Sequence, residues 1–212
     1  MRAIIVTGGS EPSYELLKSY INEDDIIIGV DKGCNTLKRL NIMPNMILGD
    51  FDSIDDNVIS YFKGKNIAIE KFNPEKDYTD THLAYNKAKD IFNVDEIIMF
   101  GATGTRLDHT LGNIGLMINA LNDNIKLEII NENNRMFAVN KSTVIKKDAG
   151  KVISFHALSD EVKNFNITGG KYPLKNYNMK ILEPRAICNE FLDGDINISF
   201  DSGIILVLYT ND

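Results

Sequence analysis

Asp50 and Asp52 flank Phe51 in "ILGDFDSI", directly after an apolar run. On extended chain alternate side chains point the same way, so these two carboxylates would share a side and repel each other. Further acids follow other apolar runs: Asp31 in "DKGCN", Asp77 and Asp80 in "NPEKDYTDTHL", and Asp108 in "GATGTRLDHTLGN". Carboxylates gathered on neighbouring loops destabilise a fold unless a hard cation neutralises them. Mg²⁺ suits such a set, because it binds through few carboxylates, keeps several waters and completes its shell with substrate phosphates. Asp50 and Asp52 are therefore expected to be arranged around Mg²⁺. Two of the acids also have purely structural roles open to them: Asp77 as N-cap of the helix that follows, and Asp80 in its first turn, facing the helix dipole.

The loop "GATGTRLDH" adds what a phosphate would need. Gly101 and Gly104 let backbone approach a ligand, and the loop feeds a helix N-terminus, which favours anions. Arg106 can grip a phosphate with two parallel hydrogen bonds. There is no "GxxxxGK[ST]", so this is not a P-loop. His82, inside a helical pattern, and His156, inside a strand pattern, read as packing residues, and Cys34 as a small buried one.

The elements that must carry these loops come in two rhythms. Up to about residue 130 short apolar runs ("AIIV", "IIIGV", "MILG", "IAIE", "EIIMF", "KLEII") alternate with stretches of helical periodicity. That pattern means βαβ units and a mainly parallel sheet, whose ligands bind outside the carboxyl ends of the strands. From "NENNRMFAVN" onward the helical period is lost. Runs such as "KVISFHAL", "EVKNFNIT", "DINISF" and "GIILVLY" alternate between polar turns, as in an antiparallel β-sandwich. The expected division is an α/β catalytic domain over 1–132 and a β-sandwich over 133–212.

Composition narrows the class. Of 212 residues 43% are hydrophobic and 25% charged, and the net charge is −7, against an extended nucleic-acid surface. No apolar run approaches a membrane span, and "MRAIIVTGG" is too soon broken for a signal peptide. Two distant cysteines without metal-ligand spacing fit a reduced, cytoplasmic protein.

In this order and spacing, "VDKGCNTL", "PNMILGDFDSI", "KDYTDTHLA" and "GATGTRLDHTLGNI" resemble bacterial thiamine pyrophosphokinase (thiamine diphosphokinase). "EVKNFNITGGKYPL", "ICNEF" and "DSGIILVLY" are similar to that family's thiamine-binding sandwich, so the resemblance covers essentially the whole chain. It implies pyrophosphate transfer from ATP to the hydroxyethyl group of thiamine, giving thiamine diphosphate and AMP, with Mg²⁺ required. It further implies a homodimer with thiamine between the sandwich of one subunit and the α/β domain of the other. Carried over, the resemblance implies Asp50, Asp52, Asp77, Arg106 and Asp108 as the catalytic set, with Asp50, Asp52 and Asp77 as the metal acids. The binding set is Asp31, Lys76, Asp80, Gly101, Thr103, Gly104 and His109 on the α/β side, with Cys188 and Asn189 contacting thiamine. This chain departs from the family pattern at Lys32, where glycine is usual, at Thr105, again for glycine, and at Cys188, for serine.

Phosphoryl-type transfer asks for positioning and charge neutralisation more than for covalent catalysis. Asp108 and Asp77 are the candidate bases, and a loose transition state does not demand a strong one. Two alternatives use the same residues: a Mg²⁺-dependent nucleotide pyrophosphohydrolase, and a non-catalytic thiamine or nucleotide sensor.

Overall fold

The structure is a computed structural model that describes residues 1–73, 75, 77–148 and 152–211. The chain divides into two compact units, Met1–Glu132 and Asn133–Asp212. In the first, strands and helices alternate: β1 (Arg2–Val6), α1 (Tyr14–Tyr20), β2 (Ile26–Val30), α2 (Gly33–Arg39), β3 (Met46–Gly49), α3 (Asp56–Gly64), β4 (Ala68–Lys71), α4 (Asp80–Asp90), β5 (Glu96–Phe100), α5 (Leu107–Asn122) and β6 (Lys126–Ile130). The six strands pair in parallel in the order β6-β5-β1-β2-β3-β4.

The strand sequences explain this. The interior of β1, β2, β5 and β6 is a buried run of mostly apolar residues, many of them β-branched, with no polar face to turn towards water. Only a sheet covered on both faces accommodates that pattern. One face, with Ile4, Val6, Ile27 and Ile47, packs against Leu17 of α1, Leu37 of α2, and Val58 and Phe62 of α3. The alternate strand residues face the opposite way, towards α4 and α5, which bury Ala84, Tyr85, Leu116 and Met117. The edge strand β4 is only partly buried.

The second unit holds β7 (Asn134–Val139), β8 (Thr143–Ile145), β9 (Val152–Ala157), β10 (Glu161–Thr168), β11 (Leu174–Lys180), β12 (Ala186–Glu190), β13 (Ile196–Ser199) and β14 (Ile205–Thr210). Antiparallel sheets β12-β9-β14-β7 and β11-β10-β13-β8 enclose one core. Phe155 of the first sheet meets Phe165 of the second edge to face, with centroids 5.9 Å apart. This is the sandwich the alternating runs imply. Bulges between β10 and β11 accompany Asn164 (φ 54) and Asn176 (φ 50), a residue type that tolerates the left-handed region. No helix among the described residues is long and apolar enough to cross a membrane.

Candidate active site

From β1 the chain winds outward through β2, β3 and β4, then returns to the other side of β1 to form β5 and β6. The order reverses between β1 and β5, and the crevice outside the carboxyl ends at such a switch point is where ligands bind. Two loops leave the sheet there, Thr7–Ser10 and Gly101–Gly104, and they are stitched together. Thr7 N–H donates to Phe100 O (2.9 Å), Gly9 N–H to Gly101 O (2.8 Å) and Ser10 N–H to Thr103 O (2.6 Å). Glycine makes the approach possible: a Cβ on Gly9 would lie 2.2 Å from Thr103 O and 2.3 Å from Gly101 O. Gly101 itself has φ +67, and its Cβ would lie 2.1 Å from Thr7 O. Buried Asn113 supports the loop from behind, donating to Ala102 O at 2.7 Å. Thr103 Oγ1 accepts from Asn131 at 2.9 Å, and Thr7 Oγ1 lies 3.2 Å from Thr81 Oγ1 at the start of α4.

The acids sit on the next loops along. Asp50 and Asp52 are not on extended chain, which corrects the expectation of a shared side. The strand ends at Gly49, and Phe51 adopts φ 63 while burying its ring in the α1–α3 core. In this tight turn Asp50 Oδ1 accepts a hydrogen bond from Asp52 N–H at 3.0 Å, so a backbone dipole meets part of the charge. Asp31 (φ 44) leans in from the end of β2. Its Oδ1 stands 1.8 Å from where a Cβ on Gly49 (φ +148) would be, so only glycine fits there. Asp77 and Asp80 lie on the approach to α4 and in its first turn. The N-cap is Thr79, whose Oγ1 accepts from His82 N–H at 3.2 Å, so Asp77 does not cap the helix. Lys76 lies outside the described residues.

Among the described residues no three His, Cys, Asp or Glu side chains converge as a ready-made metal cage. The donor chemistry nevertheless fits Mg²⁺. Asp52 is exposed and Asp50 half-exposed, their oxygens are hard, and one or two protein carboxylates suffice when phosphates supply the rest.

Arg106 is the N-cap of α5, with φ −86 and ψ 95 and no side-chain cap. That backbone turns its guanidinium onto Asp108: Nη2 donates to Oδ2 at 2.6 Å and Nε to Oδ1 at 3.2 Å. The fork assigned to a phosphate is thus held by a carboxylate two residues on. The pair is exposed, so water screens it and it opens cheaply. The hydrogen bond from Arg106 holds Asp108 down at a pKa of about 2, far too low for an efficient base near neutrality. His109 is exposed beside it in the first turn of α5.

In the second unit, Cys188 borders a cavity of about 450 Å³ with Tyr172, Pro173, Leu174, Ile187 and Arg185 among its walls. Cys188 is exposed, has φ 56, and its N–H donates to Ser154 Oγ at 3.0 Å. Asn189 is buried, and its amide is occupied: Oδ1 accepts from Tyr172 N–H (3.0 Å) and Glu190 N–H (2.9 Å), while Nδ2 donates to Tyr172 O (2.8 Å). It holds the cavity's aromatic wall in place. Sequence reasoning named neither Tyr172 nor Arg185, nor Thr7, Gly9 and Thr81 at the switch point. "TGGS", residues 7–10 after the first strand, holds both Thr7 and Gly9, and Thr81 and Tyr172 lie within the quoted "KDYTDTHLA" and "EVKNFNITGGKYPL"; Arg185 carries no such local signal.

Two family models match the chain: "Thiamin pyrophosphokinase, catalytic domain" over residues 17–129 and "Thiamin pyrophosphokinase, vitamin B1 binding domain" over 141–205. The chain is 35% identical over 210 residues, 98% of each sequence, to the thiamine pyrophosphokinase of Bacillus subtilis strain 168. It is similar to the crystal structure of the Bacillus subtilis enzyme (TM-score 0.90, 32% identity, 100% of both chains). It is also similar to that from Geobacillus thermodenitrificans (TM-score 0.87, 31% identity, 100% of this chain and 98% of that one).

Proposed function

The chain belongs to the thiamine pyrophosphokinase family, and from that premise we infer the division of labour in its reaction. The protein is an enzyme that transfers pyrophosphate from ATP to thiamine, giving thiamine diphosphate and AMP. The single observation that carries the site assignment is the stitched pair of glycine loops at the β1/β5 switch point, with Arg106 and the acid-bearing turns beside it.

In this reading the backbone of Gly101–Gly104 lies along the ATP phosphates, and Arg106 exchanges Asp108 for a phosphate oxygen. Asp50 and Asp52, with Asp77, would hold Mg²⁺, which would supply neutralisation of the charge on the phosphate chain. Asp31 and Asp80 reinforce the field of that group. The thiamine hydroxyl oxygen attacks the β-phosphorus in line. The bond from that phosphorus to the oxygen shared with the α-phosphorus breaks, and AMP leaves with the electron pair. The hydroxyl proton passes to solvent or to Asp77. Asp108, once displaced from Arg106, is free to orient the attacking hydroxyl.

Thiamine's rings need apolar surface, and the wall of Tyr172, Pro173 and Ile187 beside Cys188 provides it. We assign that wall to a site completed by a second copy of the chain, in a homodimer with its two-fold symmetry. Two unpaired cysteines suit a reducing compartment, and we place the reaction in the cytoplasm. Incubation with ATP and Mg²⁺, with and without thiamine, tests the function. AMP that appears only with thiamine supports it. AMP or ADP without thiamine means a hydrolase, and no turnover with both substrates bound means a sensor.

A further inference from the structure

A cavity of about 510 Å³ opens beside the switch-point loops, between Thr7–Gly9 and the helices α2 and α3. Val58 is the one hydrocarbon side chain in its lining, so it offers little to a planar ring. Three cations (Lys32, Lys38, Arg39) line it against two acids (Glu11, Asp55), a net of +1 in a chain whose formal net charge is −7. The local balance favours an anion.

Two of the cations are committed. Arg39 Nη2 lies 2.7 Å from Glu11 Oε1, and the same oxygen accepts from Thr36 Oγ1 at 2.8 Å. Lys38 Nζ donates to Asn57 Oδ1 and sits 5.4 Å from the centre of the Tyr61 ring. Lys32 has no hydrogen bond or ion pair from its ammonium to any described residue. Its stem is fixed all the same. It follows Asp31 directly, its carbonyl accepts from Asn35 N–H at 3.0 Å, and its Cβ stands 3.0 Å from where a Cβ on Gly8 would lie. Burial pushes the Glu11 carboxyl up, but hydrogen bonds from Arg39 and Thr36 and the charges of Arg39 and Lys32 leave it below its ordinary value. The Lys32 charge is therefore felt inside the cavity without being neutralised there.

We propose that Lys32 is a phosphate-holding residue of the nucleotide site, its ammonium taking a non-bridging phosphate oxygen of ATP where the Gly8–Gly9 backbone borders the cavity. This rests on the reading that the α/β unit binds ATP. A compact ammonium on a flexible stem suits a phosphate oxygen whose position shifts between ATP and products. Gly8 has no side chain to hold the Lys32 stem away, since a Cβ there would lie 3.0 Å from Lys32 Cβ, so that stem runs directly along the loop backbone.

The test uses the whole protein with Lys32→Gln and Lys32→Arg. ATP binding is measured by calorimetry with Mg²⁺ and no thiamine, and steady-state kinetics and melting are measured alongside. Loss of one charge-assisted hydrogen bond is expected to weaken ATP about tenfold in Lys32→Gln. The KM for ATP rises in step, while kcat, the KM for thiamine and Tm stay close to wild type, and arginine restores most of the affinity. ATP binding by Lys32→Gln equal to wild type overturns the proposal. So does weakened binding that comes with a lowered Tm and no rescue by arginine, which marks a structural role. A wild-type protein that binds no ATP instead overturns the nucleotide-binding reading itself, so the two failures are distinguishable.

Discussion

Gly9→Ala strikes the joint on which the site is built. The added Cβ would stand 2.2 Å from Thr103 O and 2.3 Å from Gly101 O, against an ordinary contact of 3.4–4 Å. Both acceptors are backbone, so no side chain can swing aside and the loops must part by about an ångström. The bonds Gly9 N–H to Gly101 O and Ser10 N–H to Thr103 O, at 2.8 and 2.6 Å, are the ones that stretch. Leaving such groups unsatisfied costs about 1–3 kcal/mol each, so a loss of roughly 2–6 kcal/mol is expected. At about 2–4 °C per kcal/mol for a chain of this size, Tm falls by roughly 4–24 °C. The control is Gly64→Ala at the end of α3, where an added Cβ meets nothing within 4 Å. Alanine there should leave Tm unchanged or raise it slightly. Paired thermal melts with ATP kinetics read both effects, and Gly9→Ala should raise the KM for ATP even at temperatures where it stays folded. A Gly9→Ala protein with the melting point and ATP kinetics of Gly64→Ala would refute the stitched-loop account.

Arg106→Lys should cost at least about tenfold in kcat/KM for ATP, roughly 1.4 kcal/mol, because a point charge cannot replace the planar fork; a smaller loss removes the two-pronged phosphate grip. Cys188→Ser should leave Tm within about 1 °C, since the side chain is exposed, and should hold or lower the KM for thiamine; a lower Tm with a higher KM would contradict this. His156 is held below its ordinary pKa by burial, so the unfolded chain binds the proton more readily than the folded one. Stability should therefore be complete above about pH 6.5 and fall as pH drops below it, and urea titrations should show a shallower fall in His156→Leu. Mixing unfolded Asp50→Asn with Tyr172→Ala and refolding should return about a quarter of wild-type activity if each site draws on two subunits; verified hybrids without activity would rule that out.

Parts of the molecule were legible from the chain because local sequence decides them. β1, β2 and β5 are buried on both faces, and such runs separated by helical periods admit little besides a covered parallel sheet. β11 was not spelled out, because its residues are largely exposed and "LKNYNMK" carries no alternation. The Asp50–Asp52 turn was misjudged because the alternation rule assumes extended chain, whereas burying Phe51 bends it. The Arg106–Asp108 pair depends on a backbone angle at Arg106 that no propensity specifies. The resemblance implies Asn189 as a thiamine contact, and its hydrogen bonds to Tyr172 come from the fold of the sandwich, which spacing does not show. Long-range partners of this kind cannot be read from spacing.

The central claim is that a β,γ-pyrophosphoryl group moves as one piece from ATP to thiamine. Phosphorus NMR of a reaction with wild-type protein, ATP, Mg²⁺ and thiamine follows each phosphorus directly. Expected are AMP and thiamine diphosphate in equal amounts, with the β- and γ-phosphorus both on thiamine and the α-phosphorus left in AMP. ADP with thiamine monophosphate, or free pyrophosphate with thiamine unchanged, would contradict it.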